Sequence, residues 1–532
     1  MYYFSLIFAV LFLPAALIVY QLLPQKYRYI ALLVFNVIFF SYTGMRRFIY
    51  PLLAGGITFF AGLLLEYLFA KQKEKVKAEE DKENKKKIKK SYLIKTRTVM
   101  IVSIAALVLL ILHVKYTDFF IENINSIAQK MGNDHRIPLK EFVLPLGISF
   151  YTLQSIGYIV DVYWRKITAE KNFLKVLTYI TFFPTIMEGP IVSFLEVKED
   201  LFSGKGIVFD NVYSGYIRLL YGCMKKLVIA DRLNPAVKYL FTEIGETNGT
   251  EVACAAVLFT VMEYMDFSGS IDMVIGVAKM FGIKLPENFK QPFFAKNATE
   301  FWRRWHVTLG VWLKTYIFYP VSMSGLVRKF SKFAKEKKLN NHFKNMVVSA
   351  ISLLPVWLIN GLWHGPSWTY ISYGIYYFIV IMLELIFEPL GDLILEKLKT
   401  TRENPVVTVI RVLKNWIVIF LGEIVFRVSN MFGAVVMYRK FFTEPGRVFS
   451  NGAFLNWGIN GVDYVIALIF LLVVLAVDIW KEKNKGELLS DRIMLCPAYL
   501  RVAAVLFLAV SILILGLYGP GFLEVDLIYA NF

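Results

Sequence analysis

The chain reads as an all-α polytopic membrane protein, a bundle of about ten to twelve transmembrane helices with some segments broken or re-entrant. Three observations predict this. Of its 532 residues, 57% are hydrophobic and only 19% charged, against about 45–50% and about 25% in soluble domains. Mean hydropathy is +0.53. Apolar runs recur along the whole chain, and basic residues gather between them. We therefore treat residues 1–532 as one transmembrane domain rather than a string of soluble ones.

The first run, "YYFSLIFAVLFLPAALIVYQLL" (2–23), lacks a basic leader and a small-residue cleavage pattern. It is long enough to span and is taken as a retained helix. Further runs lie at 29–43, 48–70, 99–120, 143–163, 174–194, 251–280, 346–363, 367–388, 410–430, 462–480 and 500–518. Several fall short of the ~20 apolar residues of a simple span.

The formal net charge is +18. In a soluble chain that would suggest nucleic acid as a partner. Here the basic residues sit in the connecting segments, so none is expected. Segment 71–97 holds twelve Lys/Arg against five Asp/Glu and reads as a low-complexity cytoplasmic loop, left without assigned structure. With 327–344 it gives the orientation and attracts anionic lipid. Three preceding spans then put the N-terminus outside a cell (plasma or inner) membrane. Residues 119–142 read as a polar loop on the other side. Cys223, Cys254 and Cys496 have no CxxC spacing, which supports neither a disulfide framework nor a metal cluster.

Segment 285–322 is too charged for a span and too apolar for a loop, so it should lie at an interface or line a buried cavity. It holds His306 in "EFWRRWHVTL". Helical spacing pairs Glu300 with Arg304 and packs Trp302 on His306. Arg303 and Arg304 could meet phosphates. Of the other histidines, His135 and His342 read as solvated and His113, near Lys115, as structural. His364 stands in "NGLWHGPSWTY" (360–370) between apolar runs. An ionisable group at that depth is a functional candidate. Asn360, four residues earlier, could fix its tautomer, with Trp363 beside it. Gly361 and Gly365 would let a substrate approach, and Pro366 would end the helix. Asp266 and Asp272, in "YMDFSGSIDMVIG" (264–276), need partners. Asp272 is expected to bridge to Arg303 or Arg304. No metal-ligand cluster, phosphate-cradling glycine loop or triad spacing occurs. A transporter or channel would share the many spans and the buried histidine, but the inverted repeats common in transporters are not evident.

Blocks 285–320 and 360–368, with "VLPLGISFYTLQSIGYIVDVY" (143–163), "FFPTIMEGPIVSF" (182–194), "MKKLVIADRL" (224–233) and "YMDFSGSIDM" (264–273), resemble the membrane-bound O-acyltransferase family. The likeness runs over most of residues 1–430 and points to the bacterial branch that handles alginate O-acetylation and D-alanyl transfer to teichoic acid. It implies a ring of helices around a tunnel, with His364 as general base and His306 as second active-site histidine. It implies acyl transfer from a cytoplasmic thioester (acetyl-CoA or an acyl carrier protein, with no bound cofactor) to an exported polysaccharide or envelope polymer, acetyl being favoured over D-alanyl by chain length. It also implies an extracytoplasmic acyltransferase partner that completes the transfer. The tail "LIYANF" (527–532) partly matches a family ending whose tyrosine carries the acyl group as an ester, which nominates Tyr529. Trp305, in the "RRWH" block, joins the supporting residues.

Overall fold

A computed structural model describes residues 3–5, 7–42, 44–484 and 486–518. Among these residues it is helical with no strand. Tyr529 lies outside them. Six segments are long and apolar enough to cross a membrane: Met45–Ala78, Lys82–Lys130, Gly249–Met280, Asn341–His364, Gly461–Lys483 and Ala498–Leu515. The other apolar runs form shorter or more polar elements. Run 174–194 yields only the helix Phe173–Ile180 before irregular chain. Run 367–388 becomes the long helix Trp368–Lys397.

The chain divides into two compact units, Met1–Tyr216 with Val274–Pro286, and Ile217–Met273 with Glu287–Ile528. In the first, Ile49–Ala78 and Lys82–Ile111 form a helical hairpin. The basic segment 71–97 is therefore helical except at its turn, unlike the unstructured loop expected. Asp81 supplies the reason, because its carboxylate caps the second helix by accepting from Asn84 N–H at 2.8 Å. Residues Thr117–Lys130 are likewise helical, so the expected polar loop starts only after them. Asn36 is fully buried and ties its helix to the Phe173–Ile180 segment. Its amide donates to Thr178 and Thr181 and accepts from Phe183 N–H at 2.8 Å. Gly147 sits at φ +70°, and a Cβ there would lie 2.2 Å from the Ile186 carbonyl oxygen, so only glycine fits.

The second unit is built around buried charges. Gly222 and Gly269 let two helices meet backbone to backbone, since a Cβ on Gly222 would come 2.4 Å from the Gly269 oxygen. That approach brings together side chains that could not otherwise lose water. Arg218 forks onto Glu287 at 2.6 and 2.7 Å and donates to Asp272 at 2.9 Å. Lys225 donates to the other oxygen of Asp272 at 2.7 Å and to Ser268. Lys226, 1% exposed, bridges Asp231 and Asp266 at 2.8 Å each. Asp272 is thus paired as expected but with Arg218 and Lys225, not Arg303 or Arg304, because the facing helix presents its cations about one turn either side of the Gly222 contact. The basic stretch after Ser324 is also helical, Gly325–Glu336, burying Val327 and Ala334 and exposing Arg328, Lys329, Lys332 and Lys335.

Replacing Lys226 with Met leaves Asp231 and Asp266 buried without their shared cation. The expected loss is ~3–5 kcal/mol, read as a lower thermal midpoint of the purified protein. An unchanged midpoint would show that Lys226 does not hold this unit together.

Candidate active site

The second unit positions the site. Helix Ala298–Arg304 is capped by Asn297, which accepts from Glu300 N–H at 2.7 Å. It stops at Arg304, and Trp305 is extended. His306 then adopts a left-handed conformation, φ 45° and ψ 50°, at the start of helix Val307–Leu313. A non-glycine residue there is strained and marks a functional candidate. The turn is held from the preceding loop. Lys290 N–H donates to the Arg304 carbonyl at 2.8 Å, and Val307 N–H to the Asn288 carbonyl at 2.9 Å.

Because the helix ends early, the expected Trp302–His306 pairing does not form. Trp302 packs edge-on against Trp357 and Tyr377, with centroids 5.0 and 4.8 Å apart. His306 packs against Phe267 at 4.9 Å and Trp363 at 5.4 Å. The expected Glu300–Arg304 pair does form, at 2.8 Å. Arg304 also reaches Glu482 at 2.8 Å, so it is occupied in structure. Trp305 is buried against Phe289 and Phe301.

Asn288 was not singled out by sequence reasoning, because one amide in "PENF" carries no spacing signal. Its Oδ1 accepts from Thr308 N–H at 3.0 Å and from the Thr308 hydroxyl at 2.9 Å. That identifies the atom as oxygen, so the 3.2 Å contact with His306 Nδ1 places the proton on Nδ1. Nε2 is then the acceptor nitrogen of the ring. Burial pushes the His306 imidazole down to about 3, so the ring is neutral at physiological pH.

Helix Asn341–His364 ends at His364, as Pro366 requires. His364 is 2% exposed and packs on Trp363 at 5.1 Å and Phe426 at 5.1 Å. Trp363 therefore contacts both imidazoles. Gly361 and Gly365 do not open space for a substrate. A Cβ on Gly361 would lie 2.4 Å from the Tyr370 oxygen, and one on Gly365 would lie 2.7 Å from the Tyr370 ring. Their role is to let helix Trp368–Lys397 pack closely.

A cavity of about 1210 Å³ reaches this cluster. Its inner wall includes His306, Asn360, Trp302 and Trp357, and its sides include Leu353 and Ile381. His364 is not part of that wall and joins it through Trp363. Six cations line the cavity, Lys296, Arg303, Lys314, Arg402, Arg411 and Lys414, against two carboxylates, Glu384 and Glu388. Both carboxylates are engaged, Glu384 by Lys414 at 2.8 Å and Glu388 by Arg402 at 3.2 Å. The wall is therefore net positive and suits an anionic ligand with an apolar part. Arg303 faces this space and Arg304 does not, which separates two residues the sequence treated alike. Asp272 stands in the buried ion cluster and not in the cavity wall.

The family model of the membrane-bound O-acyltransferases matches residues 167–334. A probable alginate O-acetylase of Pseudomonas putida is 29% identical over 448 residues, covering 83% of this chain and 80% of its own. A peptidoglycan O-acetyltransferase of Helicobacter pylori is 32% identical over 306 residues, 52% of this chain and 54% of its own. A teichoic acid D-alanyltransferase of Bacillus subtilis is 28% identical over 248 residues, 46% of this chain and 59% of its own.

His306 gives a pH prediction. Its native value near 3 lies below the ordinary 6.5, so between those limits the unfolded chain binds one more proton than the native one. Stability falls as pH drops through 6.5, by about 1.4 kcal/mol per unit from this group, until pH 3. Acid unfolding of the His306→Gln protein should be shallower than wild type by that one proton. Parallel curves would contradict the burial of a neutral imidazole.

Proposed function

The chain belongs to the membrane-bound O-acyltransferase family, and on that footing we propose that it relays an acetyl group from a thioester donor to hydroxyls of an exported polysaccharide or other cell-envelope polymer. The observation that carries this reading is the pairing of two buried imidazoles around Trp363, one of which, His306, lines a net-positive cavity. Relatives named for alginate and peptidoglycan O-acetylation supply the acceptor class. The donor enters the cavity, where Arg303 and its neighbours attract the anionic groups of an acyl-CoA or a carrier-bound thioester. Segment 71–97 faces the cytoplasm with the donor, and the N-terminus lies outside.

His306 stands at the cavity wall beside the thioester, and His364 serves the acceptor. The acceptor oxygen attacks the thioester carbonyl carbon while its proton passes to His364. The tetrahedral adduct collapses with cleavage of the C–S bond. The sulfur leaves as a thiol, taking the proton back from the imidazolium, and an ester remains. Asn360, one turn before His364, steadies the helix end. Tyr529 receives the acyl group as an ester and passes it to an extracytoplasmic partner enzyme.

D-alanyl transfer is the competing reading, since a teichoic acid D-alanyltransferase is also similar. A D-alanyl thioester brings an ammonium group into the cavity. Six cations against two engaged carboxylates disfavour that charge, whereas acetyl is neutral.

Mild alkali releases esters from surface polymer, and mass spectrometry then separates acetate from alanine. Cells carrying His364→Ala protein at wild-type membrane levels should lose released acetate to background. Acetate at wild-type level would remove His364 from the mechanism, and loss of alanine instead would move the protein to D-alanyl transfer. Tyr529→Phe should also abolish polymer acetate, because the hydroxyl that receives the acyl group is gone. Full acetylation by that variant would end the carrier role.

A further inference from the structure

Between the two histidines the chain builds two walls of the cavity and joins them with one short basic helix. A continuous helical run, 307–322, starts beside His306 and lines the cavity with Leu313 and Phe318. Helix Asn341–His364 lines it with Leu353 and Trp357 and ends at His364. Helix Gly325–Glu336 connects the ends of these walls that lie farthest along the chain from the histidines, and it packs against Asn341–His364. Whatever fixes this helix therefore fixes one end of both walls.

The connecting helix has three distinct edges. Ser324 caps it, its hydroxyl accepting from Val327 N–H at 3.4 Å. Val327 and Ala334, at 5% and 1% exposure, form the edge buried against the protein. Leu326, Phe330 and Phe333 follow i, i+4, i+7 spacing and form the adjoining apolar edge. Leu326 and Phe333 on that edge are 63% and 49% exposed. The opposite face carries Arg328, Lys329, Lys332 and Lys335, all exposed. Its one carboxylate, Glu336, lies 3.8 Å from Lys332. Among the described residues Arg328, Lys329 and Lys335 meet no carboxylate.

A helix with cations on one face and bare apolar side chains on another suits the plane of a membrane interface. The apolar edge then enters the acyl-chain boundary, and the cations meet headgroup phosphates. An acidic soluble protein would match the charge. The apolar edge, however, adjoins a helix long and apolar enough to cross the membrane, where lipid is the neighbouring medium.

We propose that helix Gly325–Glu336 binds the headgroups of anionic phospholipids and so holds the two cavity walls that carry His306 and His364. The lipid contact follows from the helix itself, and its effect on acyl transfer rests on the acyltransferase reading above.

The test places the full chain in nanodiscs of phosphatidylcholine, alone or mixed with phosphatidylglycerol, and follows hydrogen exchange of amides 325–336. These amides should exchange at least about 10-fold more slowly with phosphatidylglycerol present. Salt at ~1 M should remove the difference by screening. The combined variant Arg328→Gln, Lys329→Gln, Lys332→Gln, Lys335→Gln should show no lipid difference while keeping the wild-type thermal midpoint in detergent. Equal exchange of the wild-type helix in the two lipids would overturn the proposal, whether or not the variant folds. So would protection that needs an added acidic soluble protein and not phosphatidylglycerol. In cells, the four-Gln protein at matched membrane levels should lose about 10-fold of polymer acetate through loosened cavity walls. Wild-type acetate from it would overturn the link to the histidines. Full acetate from His364→Ala would sink the acyltransferase reading separately, since the lipid difference in exchange does not depend on His364.

Discussion

Water is excluded from the core of the second unit, and each ionisable group buried there must find a partner or lose its charge. An isolated charge in such a medium costs several kcal/mol even after relaxation. The unit answers in three ways. Arg218, Lys225 and Lys226 are matched against Asp272, Glu287, Asp231 and Asp266 in bridges of 2.6–2.9 Å. His306 is held neutral by burial. Glu423 accepts the Tyr373 hydroxyl at 2.9 Å. The helices are brought close enough for this by small residues, Gly222 against Gly269 above all. Packing and electrostatics here are one constraint, since the glycine contact would be pointless without the bridges and the bridges impossible without it.

That constraint also explains the shape of the site. In the proposed mechanism the base must be accurately aimed, and the His364 imidazole is buried and walled by Trp363, Phe426 and Tyr373. The cavity beside it, which we propose takes the donor, offers a different environment. It is wide, apolar along its length and lined by cations, and His306 stands at its inner wall. On the proposed reading the two histidines face different reactants, and Trp363 is the element common to both.

Much of this was legible in the sequence. Long apolar runs gave the helical membrane class, and "RRWH" with "NGLWHG" picked out both histidines, because ionisable residues inside apolar segments are rare and expensive. The Glu300–Arg304 bridge followed from helical spacing. What failed did so for local reasons. Trp302 and His306 were paired on the assumption of continuous helix, but the helix stops at Arg304 and His306 turns left-handed. Segment 71–97 looked unstructured by composition, yet Asp81 caps a helix and the hairpin sets its neighbours. Gly361 and Gly365 were read as room for substrate, and Tyr370 fills that room. Asn288 was invisible because its partner is 18 residues away, and a single polar residue carries no period.

The central claim is that the inner end of the cavity, around Trp363, is where the acyl group changes hands. The most direct measurement is the structure of the protein bound to a non-hydrolysable acetyl thioester analogue. The account predicts the thioester carbonyl within hydrogen-bonding reach of His306, with His364 facing the carbonyl carbon from across Trp363. An analogue seated elsewhere, with both imidazoles still sealed among their aromatic neighbours, would contradict it.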